Sequence, residues 1–301
     1  MENKINEYYQ KTYLTITTLS IFALMIIFKN SYFKLYNLKI NTLPKTEQQL
    51  LNTVYITFSI IISLIFLYKH KNDTLEKLKK YIKTATLGLL TILVYKSTSI
   101  IELATLYYTQ ETSIIKKQIY LITIETIIIL ITCLINKNKL KENLKDFKKK
   151  YNEYLSKYLK LYIITLIIMM ISNLIINNLT NQIAGNEEAI RTTFNKAPFY
   201  MFTSAVIFAP FMEEIVFRLS IKNIITNKKT FIIISGLIFG GLHVIGNINS
   251  IYDILYIIPY GTPGIAFAYM LTKTDNIFVP MGIHFLHNGL LMTLQIIALF
   301  I

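Results

Sequence analysis

Residues 199–219 read FYMFTSAVIFAPFMEEIVFRL, an apolar run long enough to enter a bilayer that nevertheless carries adjacent carboxylates at Glu213 and Glu214 and a guanidinium at Arg218. Ionised side chains at membrane depth are costly, so such groups face a bundle interior, pair with one another or take part in chemistry. On an α-helix Glu214 and Arg218 share a face and are spaced to pair, whereas Glu213 projects about 100° away. Glu213 is the carboxylate left free.

Working outward, the remaining chain has the composition of a membrane protein. Of its 301 residues 53% are hydrophobic and the mean hydropathy is +0.46, with Ile-rich runs separated by Lys-rich segments. The net charge of +14 resides in those separating segments. That arrangement suits loops held at a cytoplasmic face near anionic lipid, and it argues against nucleic acid as a partner. Cys133 is the sole cysteine, which excludes an intrachain disulfide and a thiolate metal site. The abundance of Lys, Asn and Ile is that of an AT-rich genome and points to a bacterial plasma membrane.

Apolar runs at residues 12–28, 53–68, 84–107, 119–135, 161–176, 199–219, 231–245, 251–271 and 277–300 predict an all-α, polytopic bundle of about nine spans. The first run reads as a span and not a secretory leader, because KNSYF follows it where a small-residue cleavage site belongs. Lysines concentrate in residues 69–83 and 137–160, which places both segments and the N-terminus in the cytoplasm. The second also reads as a basic amphipathic helix on the inner leaflet. Residues 1–180 are expected to hold N-terminal helices with basic loops, and residues 181–301 a four-helix core with a buried active site. Lys96 and Glu125 are expected to pair between helices, and His70 to be a solvated loop residue.

Three of the four histidines, His243, His284 and His287, fall within apolar helices of that core. With a turn at residues 226–229, Glu213 and His243 each lie about 14 residues from it, roughly 21 Å, and meet at one level of an antiparallel hairpin. A final helix starting near Asn276 puts His284 about 12 Å and Asn288 about 18 Å along its axis, on one face. Glu213, His243, His284 and Asn288 can therefore converge nearer the cytoplasmic interface than the midplane.

At these residues the sequence resembles the intramembrane proteases that include CAAX prenyl endopeptidases and bacteriocin-processing enzymes, the CPBP or Abi family. The motifs E-E-x-x-x-R, F-x-x-x-H and H-x-x-x-N read here EEIVFR (Glu213, Glu214, Arg218), FGGLH (Phe239, His243) and HFLHN (His284, Asn288), in order and on separate helices. The approach MLTKTDNIFVPMGIH, with Thr272, Asn276 and Pro280, is also similar. The resemblance covers residue 199 to the C-terminus.

The resemblance implies peptide-bond hydrolysis within the membrane, on a hydrophobic membrane-anchored peptide or protein. Glu213 and His243 would activate water, His284 and Asn288 would stabilise the oxyanion, and Glu214 with Arg218 would support them. No metal is favoured; a zinc ion on Glu213, His243 and His284 is the alternative, although the sequence lacks H-E-x-x-H. A non-catalytic membrane protein acting in bacteriocin self-immunity is the competing reading. A transporter would require polar residues in a line across the membrane, whereas here they cluster at one level. Gly240 and Gly241 suggest close helix packing, and YGTPG at residues 260–264 suggests a helix break, opened for substrate or for packing.

Overall fold

The computed structural model describes residues 2–35, 45–225, 227–245 and 251–297, all helices and short connections, with no strand among them. Helices are what a chain in hydrocarbon adopts, because each satisfies its own backbone polar groups. Four helical segments among the described residues are long and apolar enough to cross a membrane: Leu75–Tyr108, Ile114–Ile135, Lys137–Thr180 and Tyr252–Thr274. Within the described residues the other predicted runs also lie in helices, 12–28 in Glu2–Leu35, 53–68 in Lys45–His70, 231–245 in Lys228–Ile245 and the last in Phe278–Ile297, with 199–219 in several short segments. The chain divides into two compact units, Met1–Thr84 and Ala85–Ile301.

The first unit packs α1 (Glu2–Leu35) on α2 (Lys45–His70), with Leu14, Phe66 and Leu78 at its centre. His70 is not solvated as expected. It is buried between the Phe66 and Tyr81 rings, 4.6 and 4.7 Å away between centroids, with Nδ1 2.5 Å from Asp73 Oδ2. Helix α3 (Leu75–Tyr108) starts from this turn.

The second unit contains α4 (Ile114–Ile135), α5 (Lys137–Thr180), α6 (Gly185–Lys196), α7 (Pro198–Thr203), α8 (Ala209–Glu214), α9 (Ile221–Ile224), α10 (Lys228–Ile245), α11 (Ile257–Thr274) and α12 (Phe278–Ile297). Wide π-helical turns at Ser204–Phe208 and Ile215–Ser220 link α7, α8 and α9 into one rod, which is the sixth expected span. The turn after it falls one to two residues early: Lys228 and Lys229 already belong to α10, and Thr226 lies outside the described residues.

Helix α5 kinks at Lys150 (φ −115°, ψ 17°). Part of the apolar side of its basic first part packs inside the protein, where Leu140 joins the core with Leu271 and Ile277, while Leu144 is exposed. Beyond the kink Tyr154, Tyr158 and Tyr162 are buried against Phe267, Met270, Val279 and Ile283. The expected Lys96–Glu125 pair is not formed either. Glu125 accepts from Ser204 Oγ at 2.5 Å, Glu102 accepts from the Tyr200 hydroxyl at 3.3 Å, and Lys96 lies 5.6 Å from the Tyr95 ring centroid. Carboxylates here found hydroxyl donors on the neighbouring rod.

Two features set the position of the last helices. In the first, α10 meets α11 through small residues: a Cβ on Gly240 would lie 2.8 Å from the Gly261 nitrogen and the Ile257 oxygen, and one on Gly264 would lie 3.1 Å from the Gly236 Cα. The close pairs are thus Gly236 and Gly240 against the YGTPG segment, which stays helical and serves packing. In the second, α5 buckles onto the turn before α12. Asn143 Nδ2 donates to the Asp275 carbonyl at 3.3 Å, the Ile277 amide donates to Asn143 Oδ1 at 3.0 Å, and Asn276 Nδ2 donates to the Asn143 carbonyl at 2.8 Å. Asp275, left-handed at φ 52°, receives Lys139 Nζ at 3.1 Å and Lys222 Nζ at 2.5 Å.

Gly240→Ala is expected to destabilise the protein by about 1–3 kcal/mol through backbone overlap. Gly282→Ala, whose Cβ would meet only the Phe147 ring at 3.8 Å, is expected to be near neutral; thermal unfolding in detergent checks both. Burial acts to raise the Asp275 carboxyl, but the hydrogen bonds from Lys222 and Lys139 outweigh it and hold it below its ordinary 3.8. A depressed carboxylate stabilises above its unfolded value and loses that contribution on protonation. The melting-temperature gap between wild type and Asp275→Asn should therefore be full from about pH 5 upward and close as pH falls below about 4.

Candidate active site

The two glutamates end α8, and the backbone then widens into the π-helical turn Ile215–Ser220, where Ser220 Oγ donates to the Ile215 carbonyl five residues back at 3.0 Å. Within this turn Arg218 still returns to Glu214: Nε lies 3.3 Å from Oε2, with both side chains wholly buried. The guanidinium lies 4.2 Å from the Phe239 ring centroid and 5.5 Å from that of Phe267, and Nη2 donates to the Gly264 carbonyl at 3.4 Å. A desolvated cation between aromatic faces gains from both rings.

His284, projecting from α12, touches both carboxylates. Its Nδ1 is 2.9 Å from Glu214 Oε1 and its Nε2 is 3.9 Å from Glu213 Oε2. The ring stacks on Phe267 at 4.9 Å and presents an edge contact to Phe239 at 5.8 Å. Glu214 is thus ion-paired with Arg218 through Oε2 and hydrogen-bonded to His284 through Oε1. Glu213 keeps 9% exposure where Glu214 and Arg218 have none, so it is the less buried carboxylate of the cluster.

The other two expected members flank this cluster. His243 Nδ1–H donates to the Phe239 carbonyl at 2.8 Å, and the ring lies between Phe239 (4.5 Å) and Tyr260 (5.0 Å, nearly parallel). It forms no ion pair with Glu213, and Nε2 is the nitrogen left to accept a proton. Asn288 Nδ2 donates to the Ala205 carbonyl at 2.7 Å, in the π-helical turn Ser204–Phe208, which leaves one N–H of the amide. His287, one residue earlier, has Nδ1 3.3 Å from the Tyr162 hydroxyl.

Sequence reading missed Phe267, Gly264 and Tyr260 on α11, which wall the cluster. It also missed the π turn at Ser204–Phe208, for which Pro210 was the available signal: a residue without N–H leaves a carbonyl of the preceding turn unpaired. For zinc, the donor types Glu213, His243 and His284 are suitable. Among the described residues no three His, Cys, Asp or Glu side chains stand ready-placed as a ligand set. A polar cleft of about 550 Å³ lined by Asn177, Asn181, Gln182, Glu188 and Asp253 lies elsewhere, at the far end of α5.

Residues 195–290 match the family described as "Type II CAAX prenyl endopeptidase Rce1-like", a stretch that contains all three motifs from Glu213 to Asn288. The match is confined to the C-terminal third of the chain. Over 114 residues the chain is 28% identical to the Bacillus subtilis (strain 168) protein named "Putative membrane peptidase YdiL", covering 37% of this chain and 43% of that protein. The chain therefore spans less than half the length of that relative. No solved structure matches it. The Rce1-like stretch includes α7 to α11 and most of α12, so the cluster, its aromatic walls and the glycine contact all fall inside it.

Arg218→Ala should leave Glu214 buried without its guanidinium partner and cost about 3–5 kcal/mol. Combining it with Glu214→Gln should cost less than the sum of the two single changes, as thermal unfolding of the four proteins would report.

Proposed function

We propose that the chain is an intramembrane endopeptidase that hydrolyses a peptide bond in a hydrophobic, membrane-anchored peptide or protein, of CAAX, bacteriocin-precursor or signal-peptide type. The supporting observation is that the buried Glu213–His284–Glu214–Arg218 cluster coincides with the Rce1-like stretch. A bilayer-filling scaffold gains nothing from four ionisable groups at one depth.

Glu213 takes a proton from a water molecule as its oxygen attacks the scissile carbonyl carbon. The carbonyl oxygen becomes an oxyanion, and the C–N bond then breaks as Glu213 returns the proton to the leaving amine. With Nδ1–H given to Glu214, His284 can donate from Nε2 to the oxyanion only as an imidazolium. That state also balances the cluster: two carboxylates against one guanidinium and one imidazolium. The remaining N–H of Asn288 is the second donor. His243, its Nδ1 fixed on the Phe239 carbonyl, has Nε2 to orient the water. The N-terminus and the basic segments face the cytoplasm of a bacterial cell.

In cells expressing candidate membrane-peptide precursors, Glu213→Ala should abolish processing at unchanged abundance and membrane insertion, and Asn288→Ala should lower its rate about 10²-fold or more. If Glu213→Ala retained full function in a bacteriocin-protection assay, hydrolysis would not be the basis of that function, and the non-catalytic immunity reading would replace it.

A further inference from the structure

Seven lysines stand in residues 137–150 against two acids, Glu142 and Asp146. The side of this helix bearing Leu140 and Asn143 is buried in the protein, so Lys141, Lys145, Lys148 and Lys149 on its other sides are exposed. Two further elements bring positive charge to the same place, because Asp275 joins Lys139 of α5 to Lys222 of α9, and exposed Lys273 precedes Asp275 by two residues. The junction thus gathers three elements: the basic part of α5, the end of the rod that carries Glu213, and the turn that starts the helix of His284. Beneath it lie the buried Asn143–Asn276 hydrogen bonds and the contacts of Leu140, Ile221, Leu271 and Ile277, but its ion-paired outer part is weak by itself. The Asp275 carboxylate is 68% exposed, and exposed ion pairs contribute at most about 1 kcal/mol. The surrounding lysines repel one another and oppose the contact.

We propose that phosphodiester headgroups of anionic lipid bind across this junction, and that their charge clamps the basic part of α5, the end of the Glu213 rod and the start of the His284 helix into one unit. Two observations favour lipid over other anions. The basic face continues directly into the apolar second part of α5, whose Ile164, Ile168 and Leu174 are exposed as lipid-facing residues are. The kink at Lys150 turns the helix where such a face would pass from headgroups to hydrocarbon. Each lysine near an anionic surface contributes about 1 kcal/mol, comparable with the Asp275 pairs, so the lipid can decide whether the ion-paired outer part of the junction stays closed. This inference is independent of peptide hydrolysis, because it concerns how the helices are held and not what they cleave.

The test is hydrogen exchange of residues 272–283 in protein reconstituted into vesicles of phosphatidylcholine alone and of phosphatidylcholine with phosphatidylglycerol. Phosphatidylglycerol should slow exchange about tenfold or more in wild type and equally in Glu213→Ala, so the readout does not depend on whether the protein hydrolyses peptides. The Lys139→Gln/Lys222→Gln protein should lose most of that slowing. Lys141→Gln/Lys145→Gln, which leaves the Asp275 contacts intact, should lose part of it. Equal exchange in the two vesicle types would overturn the proposal, as would a full response in both double variants. Protection by inorganic phosphate in phosphatidylcholine vesicles, equal to that by lipid, would overturn the assignment to a membrane surface.

Discussion

Two glutamates side by side in a buried rod impose a demand that the rod cannot meet alone. Arg218, one turn on, reaches Glu214 but leaves Glu213 and half of Glu214 without a cation. His284 supplies the remaining contact from a helix about 70 residues later, and it can do so only if α12 is held at the right height. Much of the second unit can be understood as meeting that condition. Phe239 and Phe267 enclose the guanidinium, the glycine contact brings their two helices close, and the Asn143–Asn276 hydrogen bonds fix where α12 begins.

Phe239 has an unusual share in this. Its carbonyl fixes one histidine, its ring covers the arginine, and its edge meets the second histidine. One residue therefore relates three of the charged or chargeable groups without itself carrying charge. A spacing of four between Phe239 and His243 is what allows the backbone contact, since a histidine ring turned back along an α-helix reaches the carbonyl of the preceding turn.

The sequence made the helical class, the polar core of the last third and the Glu214–Arg218 pair legible, because these follow from apolar run length and from a four-residue spacing. It was less informative wherever a second helix chose among equivalent partners. Glu125 had Lys96 as an obvious counter-charge but found Ser204, and His284 met Glu214 more closely than Glu213. Depth arithmetic could not show that His243 would take the Phe239 carbonyl and stack on Tyr260. His70 looked solvated because its neighbours in sequence are lysines, whereas its neighbours in space are two aromatic rings. Periodicity reports which face a residue occupies, and not what lies opposite.

The wide turns at Ser204–Phe208 and Ile215–Ser220 divide one rod into segments with separate rotational settings. Tyr200 and Ser204 at one end face the carboxylates of α3 and α4, while Glu213 and Glu214 face α12. A uniform α-helix would tie these two orientations together, so that each adjustment of one end by a residue would swing the other by about 100°. With slack built in between them, the helix works as a geared shaft: the end facing the preceding helices and the end facing His284 each keep their own rotational setting.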